Sequence, residues 1–385
     1  MACNPSEQKS QNEDKQAINY SQWMAESEIK RNPEGWTIDF NQKPKWEYTH
    51  GLIMTSMEKL YQVYEDSTYL EYILNFAEFM IDDEGNIKTY KKSDYNIDRV
   101  NGGKFLIFLH ETTGEEKYKI ALETLRDQMR EHPRTSEGGF WHKKVYPYQM
   151  WLDGIYMGSP FLAQYAKAFN DTELFDDVAN QIRLVDQHHY SESTGLYHHA
   201  WDESKEQKWA DPESGNSTNY WGRSMGWFAM ALVDILDFIP QDHPMRNDIV
   251  KVAIKVADGM LRYQHESGTW YQVLDQGDRE GNYLEASVSC MTAYFLLKGA
   301  SKGYLNENHK DAGVKAYEGI VKNFIREEED GTISLTNVCG VAGLGGNPYR
   351  DGSYEYYINE IILDNDPKGV GPFILASIWY EKMGN

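Results

Sequence analysis

Apolar residues recur at spacings of three and four along most of this chain, and polar residues fill the positions between them. In residues 67–81, Leu70, Ile73, Leu74 and Ala77 fall on one side of a helix. Strand-like alternation is scarce, so the chain is predicted to be all-α. The periodicity predicts twelve helices in six consecutive pairs: 50–64 with 67–81, 98–110 with 115–131, 153–169 with 172–187, 219–238 with 244–264, 286–299 with 308–325, and 355–363 with 371–382.

Helical hairpins that cannot bury their apolar faces alone must stack against their neighbours. Six hairpins that close on themselves form an (α/α)6 barrel. A straight helical solenoid is the alternative, but no short repeated sequence motif supports it. We therefore predict a single barrel domain over residues 17–385, preceded by a polar tether over residues 1–16.

The connections between the predicted helices alternate between short polar turns and long segments rich in aromatic residues. The long ones cover residues 82–96, 132–152, 188–218, 266–285 and 327–354. Alternate connections of a hairpin barrel emerge at the same end, and function concentrates on loops that a rigid scaffold holds. The sequence therefore predicts one active-site pocket at one end of the barrel.

Composition narrows the class of partner. Aromatic residues make up 14% of the chain, with 27 Tyr and 11 Trp, a density common in carbohydrate-active proteins. A net charge of −22 argues against nucleic acid and against anionic membranes as partners. An anionic small substrate would need positive charge concentrated at its site. The three Cys residues have no disulfide or zinc-binding spacing, and no apolar run is long enough to span a bilayer.

The first residues carry a separate signal. Ala2 and Cys3 precede a flexible polar spacer, which is typical of the mature start of a bacterial lipoprotein with Cys3 as the lipidated residue. This interpretation makes Cys3 a candidate lipid anchor and the protein periplasmic or membrane-anchored. The alternative is a cytoplasmic protein with an incidental Cys.

The stretch 138–160, GGFWHKKVYPYQMWLDGIYMGSP, gathers large aromatics, His142 and Lys143 around a single carboxylate, Asp153. Aromatic faces stack on sugar rings, while Lys, His and Asp supply charge and protons. Asp98, in DYNIDRVNGG, stands at the start of another predicted helix and could form a dyad with Asp153. Two carboxylates in an aromatic pocket do not both ionise cheaply, so one would act as a proton donor. The alternative is that both aspartates only cap helices.

Two further clusters lie downstream. GLYHHAWD places His199 beside a Trp, and the run NYWGRSMGW contains Trp221, Arg223 and Trp227. An Arg between Trp walls is a natural receptor for a carboxylate, because its planar fork binds both oxygens. An ordinary cation–π pair is the alternative.

The Gly-rich segment 340–357, GVAGLGGNPYRDGSYEYY, has neither the spacing nor the lysine of a phosphate-binding loop. A tight loop that closes the barrel mouth fits it better, with Tyr349, Arg350 or Tyr354 in reach of a substrate.

Taken together, these segments resemble the unsaturated rhamnogalacturonyl hydrolases of glycoside hydrolase family 105, over nearly the whole chain after the tether. The resemblance is carried by GGFWHKKVYPYQMWLDGIYMGSPF, HHAWDESKEQKWADPESG, NYWGRSMGWFAMALVDIL and GLGGNPYRDGSYEYY. It implies an (α/α)6 barrel. It also implies removal of the terminal sugar acid, carrying a C4=C5 double bond, that polysaccharide lyases leave at a non-reducing end.

The resemblance also implies a mechanism. Asp153 matches the acid/base that protonates C4 and assists addition of water at C5, and Asp98 matches the second carboxylate, which positions substrate or water. Contacts to the sugar acid and the pocket lining are assigned to Tyr48, His142, Lys143, Trp151, His199, Trp221, Arg223 and Trp227. Neither a metal nor an organic cofactor is implied, and the partner is an unsaturated uronic-acid oligosaccharide.

Three other functions remain open from the sequence. An unsaturated glucuronyl hydrolase, acting on other uronic-acid oligosaccharides, needs the same proton donor and carboxylate receptor. An epimerase on the same barrel would isomerise saturated sugars. A non-catalytic protein that binds sugar acids would keep the pocket and lack turnover.

Overall fold

Helices carry most of the chain, as the sequence predicts. The computed structural model describes residues 19–384, so the predicted tether 1–16 and Cys3 lie outside the described residues. The helices are α1 (Tyr20–Arg31), α2 (Tyr48–Tyr64), α3 (Ser67–Met80), α4 (Gly103–Thr113), α5 (Glu116–Glu131), α6 (Leu152–Phe169), α7 (Glu173–His188), α8 (Gly222–Ile235), α9 (Arg246–Leu261), α10 (Ala286–Ser301), α11 (Glu307–Phe324), α12 (Tyr354–Ile358) and α13 (Pro367–Gly384).

Six of these helices form a closed inner ring. Each packs against two others, in the order α2, α4, α6, α8, α10, α13 and back to α2. Helices α3, α5, α7, α9 and α11 each lie outside the inner helix that precedes them, and α1 lies against α13. This arrangement confirms the predicted (α/α)6 barrel.

The two rings differ in how their sequences are buried. Nearly every residue of α8 and α10 is buried, whereas α5 and α7 bury one apolar side and expose charged residues on the other. A helix that is apolar all round belongs in the middle of a fold, and an amphipathic one belongs at its surface. The apolar pattern therefore decides which helix of each hairpin is inner.

Short strands tie together the long connections at one end of the barrel. Within the described residues, eight strands form four antiparallel pairs: β1 (Gln149–Trp151) with β2 (Ala200–Asp202), β3 (Trp270–Tyr271) with β4 (Leu284–Glu285), β5 (Ile325–Glu327) with β6 (Ile333–Leu335), and β7 (Val338–Cys339) with β8 (Ile362–Leu363). Each of these connections leads towards the start of an inner helix. The inner helices therefore all begin at the same end, which we call the mouth.

The sixth predicted hairpin is wrong. Segment 355–363 contains only the short helix α12 and the strand β8, and α13 instead packs against α1. The pairing of β8 with β7 withdraws the end of this segment from a helix. The periodicity missed α1 because the side that it buries is largely small or polar: Ser21, Met24, Ala25, Ser27 and Glu28.

One close approach fixes the position of α2 at the mouth. A Cβ atom at Gly51 would lie 2.7 Å from the main-chain nitrogen of Gly102, so only glycine lets α2 pack this tightly against the segment that enters α4. Next to this contact, the Asn101 side chain donates a hydrogen bond to the main-chain oxygen of Tyr48 at 2.8 Å. Tyr48 is thereby held beside the segment that carries Asp98.

No helix within residues 19–384 has both the length and the apolarity that crossing a bilayer requires.

Candidate active site

Main-chain hydrogen bonds bring the predicted catalytic segments together at the mouth. The Ile97 nitrogen donates to the His142 oxygen at 3.2 Å, and the Leu152 nitrogen donates to the His199 oxygen at 3.0 Å. Each donor directly precedes one of the two predicted catalytic aspartates. The aspartates and the two histidines therefore come from separate loops that the backbone holds side by side.

The mouth contains a cleft with two adjoining compartments. A smaller one, of about 100 Å³, contains Asp153, and a larger one, of about 440 Å³, opens beside it. Tyr48, Asp98, Lys143 and Val341 line both. The remaining lining residues of the smaller compartment are His142, Tyr146, Trp151, Asp153, Met157, Ala342 and Arg350. Six of the predicted site residues thus line the compartment that holds both aspartates: Tyr48, Asp98, His142, Lys143, Trp151 and Asp153.

Asp98 is held as a carboxylate by its neighbours. Its Oδ2 lies 2.6 Å from Lys143 Nζ, and its Oδ1 lies 3.4 Å from His142 Nε2. Burial alone would raise the pKa of Asp98, but the charge of Lys143, helped by His142, outweighs burial and lowers it. For Lys143, burial alone would lower the pKa, and Asp98 raises it instead. Asp98 is therefore ionised near neutral pH and does not act as the proton donor of the dyad.

Three rings form a stack along one wall of the smaller compartment. His142 lies parallel to Trp151 with ring centroids 4.5 Å apart, and Tyr146 lies parallel to the same Trp at 5.2 Å. Burial lowers the pKa of His142 to about 4, so this imidazole is neutral at working pH. The wall thus offers an apolar, uncharged surface to a sugar ring.

Asp153 is the second residue of α6 and faces His199. Asp153 Oδ2 lies 3.2 Å from His199 Nε2, although the angles of this contact are poorer than those of a regular hydrogen bond. Both atoms are buried, and neither has another hydrogen-bond partner among the described residues. On its other side, His199 Nδ1 lies 2.8 Å from the Tyr357 hydroxyl. Hydrogen bonds with such geometry often tighten only when a substrate binds.

The structure does not place Trp221, Arg223 or Trp227 among the residues that line either compartment. Arg223 is buried below the mouth, where it donates hydrogen bonds to the main-chain oxygens of Cys339 and Gly340. Trp221 stacks over the Arg223 guanidinium, and Trp227 packs against Tyr48 and Tyr156 deeper in the barrel.

Replacing Arg223 by Ala will destabilise the protein. The change removes two buried hydrogen bonds from a guanidinium and leaves two carbonyl oxygens unpaired, which costs about 2–4 kcal/mol of unfolding free energy. Urea unfolding followed by tryptophan fluorescence measures the loss. Arg183→Ala, on the exposed side of α7, is the matched control and should change little. Equal stability of Arg223→Ala and wild type would contradict this assignment.

Two residues of the Gly-rich segment, Arg350 and Tyr357, have a larger part in the candidate site than the sequence indicated. Arg350 lines the smaller compartment and donates to the Tyr146 hydroxyl at 2.9 Å and to the main-chain oxygens of Leu344 and Gly345. Its Nη1 makes no hydrogen bond within the described part of the chain. Tyr357, which contacts His199, carried no distinguishing signal, since only the fold brings together residues 158 positions apart.

Within residues 19–384, no group of three or more His, Cys, Asp or Glu side chains is arranged to hold a metal ion.

Comparison with known proteins places this architecture in a family. The model of Glycosyl Hydrolase Family 88 matches residues 20–384. The chain belongs to this family. A C. acetobutylicum glycoside hydrolase from family 105 has a structure similar to this one, with a TM-score of 0.91 and 45% identity over 95% of this chain and 100% of that chain. This similarity confirms the resemblance to family 105.

Two further comparisons concern activity and fold. The chain is 27% identical to the unsaturated rhamnogalacturonyl hydrolase YesR of Bacillus subtilis, over 80% of this chain and 84% of that protein. The unsaturated glucuronyl hydrolase of Bacillus sp. GL1, at 14% identity over 93% of this chain and 94% of that chain, has a TM-score of 0.66 and shows the common fold alone. The family establishes a glycosidase that acts on unsaturated uronyl groups.

Proposed function

We propose that this protein removes a C4=C5-unsaturated galacturonyl residue from the non-reducing end of rhamnogalacturonan fragments, by hydrating the double bond with Asp153 as general acid and base. The observation that carries the proposal is the pairing of unlike carboxyl environments in one small compartment. Asp98 is fixed as an anion by Lys143, whereas Asp153 has no cationic Lys or Arg within ion-pair distance among the described residues. The likeness to YesR supports the galacturonyl substrate.

The chemistry follows from the polarity of an enol ether. Asp153 donates its proton to C4, the double bond supplies the electrons, and a cation stabilised by the ring oxygen forms at C5. Water then adds to C5, and the Asp153 carboxylate takes up the proton that this water loses. The hemiketal at C5 opens, and the resulting hemiacetal at C1 releases the rest of the chain as an alcohol. One water is consumed for each bond cleaved.

Asp98 and Lys143 have distinct tasks in this scheme. Positive charge develops at C5 and the ring oxygen after protonation, and a fixed anion stabilises such a cation strongly in a water-poor site. Asp98 provides that anion, and because it is ionised it has no proton of its own to donate. Lys143, 23% exposed, keeps Asp98 ionised and presents positive charge towards an anionic sugar.

The larger compartment is proposed to bind the part of the substrate that is released by the cleavage. It adjoins the smaller one at Tyr48, Asp98 and Lys143. One of its walls is apolar, with Val341, Ile361 and Leu363, while charged residues form much of the rest. An apolar wall suits the methyl group of a 6-deoxy sugar such as rhamnose, and this match favours rhamnose as the neighbouring residue.

Ultraviolet absorbance tests the proposed function directly, because the double bond conjugated to the carboxylate absorbs and its hydration removes the absorbance. We expect loss of absorbance with an unsaturated galacturonyl-rhamnose disaccharide. Disaccharides of unsaturated glucuronyl origin differ from this one in linkage and neighbouring sugar, because the double bond abolishes the C4 configuration that distinguishes the two uronic acids, and faster loss with them would keep the mechanism and overturn the substrate. Binding of both substrates without any loss would indicate a non-catalytic sugar-acid binding protein. Isomerisation of a saturated sugar instead would indicate an epimerase.

Replacing Arg350 by Ala will weaken substrate binding. Arg350 lines the compartment that is proposed to hold the uronyl group, so its loss removes a charge-assisted contact to the carboxylate and raises KM about tenfold or more. The value of kcat should fall less. Initial rates over a range of disaccharide concentrations separate the two constants. Arg223→Ala is the informative comparison, and a larger rise of KM in that variant would move the carboxylate receptor to Arg223.

A further inference from the structure

We propose that Tyr357 is a positioning residue, whose hydroxyl fixes His199 in the tautomer that carries its proton on Nε2 and so directs the acidic proton of Asp153 into the cleft. The three groups form a chain of contacts: the Tyr357 hydroxyl lies 2.8 Å from His199 Nδ1, and His199 Nε2 lies 3.2 Å from Asp153 Oδ2. The catalytic part of this inference rests on the proposed function, whereas the tautomer is a property of the protein alone.

The available hydrogen-bond partners decide which of the two groups, the Tyr357 hydroxyl or His199 Nδ1, is the donor. Tyr357 and His199 are both 0% exposed, and His199 is the only hydrogen-bond partner of the Tyr357 hydroxyl within residues 19–384. Burial raises the pKa of Tyr357 well above its usual value, so the hydroxyl keeps its proton. If the hydroxyl donates to Nδ1, its proton is satisfied. If Nδ1 were protonated and donated instead, the hydroxyl proton would be buried without an acceptor, which is costly.

The tautomer then determines which oxygen of Asp153 carries the proton. A neutral imidazole that accepts at Nδ1 carries its hydrogen on Nε2. Asp153 Oδ2 is buried 3.2 Å from this nitrogen, and a proton on Oδ2 would set two hydrogens against each other, so Oδ2 is the oxygen that stays unprotonated. A proton on Asp153 therefore resides on Oδ1, the oxygen through which this side chain, 14% exposed, can reach the cleft. In the opposite tautomer the Nε2 lone pair would attract the proton to Oδ2, away from the substrate.

Nitrogen NMR of the histidine side chains tests the tautomer without any substrate. In protein labelled with ¹⁵N-histidine, the long-range proton–nitrogen spectrum distinguishes a protonated ring nitrogen from an unprotonated one. The His199 signals are identified by their absence from His199→Gln. We expect a protonated Nε2 and an unprotonated Nδ1 in the wild type, with the Nε2-protonated population reduced in Tyr357→Phe. A protonated Nδ1 in the wild type would overturn the proposal.

Steady-state kinetics tests the catalytic consequence. Tyr357→Phe should lower kcat about tenfold, a part of the ~10²–10⁴ that a positioned proton donor supplies, with KM within about twofold of wild type. Tyr356→Phe is the matched control, because it removes a hydroxyl from the same helix, where that hydroxyl accepts a hydrogen bond from the Gly343 nitrogen. Its kcat should stay close to that of the wild type.

The possible results separate this inference from the proposed function. Loss of the Nε2-protonated tautomer together with a lower kcat supports the positioning role. An altered tautomer with unchanged kcat, or equal losses in Tyr357→Phe and Tyr356→Phe, would overturn that role. If wild-type protein turned over no unsaturated uronyl substrate, the proposed function would fail, and the NMR result would still decide the tautomer.

Discussion

Asp153→Asn will lose at least a hundredfold in kcat on an unsaturated uronyl disaccharide. Asparagine keeps the size of the side chain and its place at the start of α6 beside His199, but it cannot give a proton to C4 or take one from water. General acid–base catalysis contributes ~10²–10⁴ to rate, and here one group supplies both transfers. KM should change little, because Lys143 and Arg350 are retained. The decrease of ultraviolet absorbance with time measures both constants.

Two controls make this result specific. The melting temperature and the circular dichroism spectrum of Asp153→Asn should match those of the wild type, which excludes a folding defect. Asp248→Asn makes the same chemical change at an exposed position of α9 and should leave kcat unaltered. Turnover by Asp153→Asn within tenfold of the wild-type value would remove Asp153 from the mechanism.

Asp98→Asn will lower both the stability of the protein and its turnover. Asparagine leaves the largely buried ammonium of Lys143 without its anion, which costs roughly 3 kcal/mol of unfolding free energy. It also removes the charge proposed to stabilise the cation at C5, so kcat should fall about a hundredfold. Urea unfolding and the absorbance assay measure the two effects.

A double variant distinguishes the structural role of Asp98 from its catalytic role. In Asp98→Asn/Lys143→Met neither charge remains, so most of the lost stability should return. Turnover should stay low, because the anion is still missing. Recovery of kcat together with stability would show that Asp98 acts only by holding Lys143 in place.

The stability that Asp98 provides should also depend on pH. Its pKa is lowered in the folded protein, so the contribution is fully present above the unfolded value of about 4 and is lost as the pH falls through the folded value. The difference in unfolding free energy between wild type and Asp98→Asn should therefore be constant near neutrality. It should shrink in acid below pH ~4.

Local pattern was sufficient for most of the architecture. Both helices of five hairpins were predictable, because a helix in this fold is stabilised chiefly by burying an apolar side. The residues of that side recur in the sequence at spacings of three and four. The loops that form the mouth were predictable because they alone combine aromatics with Gly, Pro and charge. Within these loops or just after them, the sequence predicted Asp98, His142, Lys143, Trp151 and Asp153 as site residues, and the structure brings all five to one compartment.

The failures share a physical cause, which is dependence on partners distant in sequence. Helix α1 buries Ser21, Ser27 and Glu28, and Ser21 is satisfied there by Glu381 at the other end of the chain. Arg223 has the neighbours expected of a carboxylate receptor, yet the carbonyl oxygens of residues 339 and 340 occupy its guanidinium. The periodicity of apolar residues does not predict hydrogen-bond partners that are so distant in the sequence.

The sequence by itself determined that this protein is a ring of helical hairpins with one aromatic, carboxylate-bearing mouth, because burial periodicity and residue chemistry are local properties. Only the tertiary structure decided which charges meet there. It joined Lys143 to Asp98 and so made Asp98 the fixed anion, and it set Arg350 rather than Arg223 on the cleft wall. It also brought Tyr357 to His199 and His199 to Asp153. Protonation and tautomeric state depend on distances of a few ångströms between groups far apart in the chain, and folding alone sets those distances.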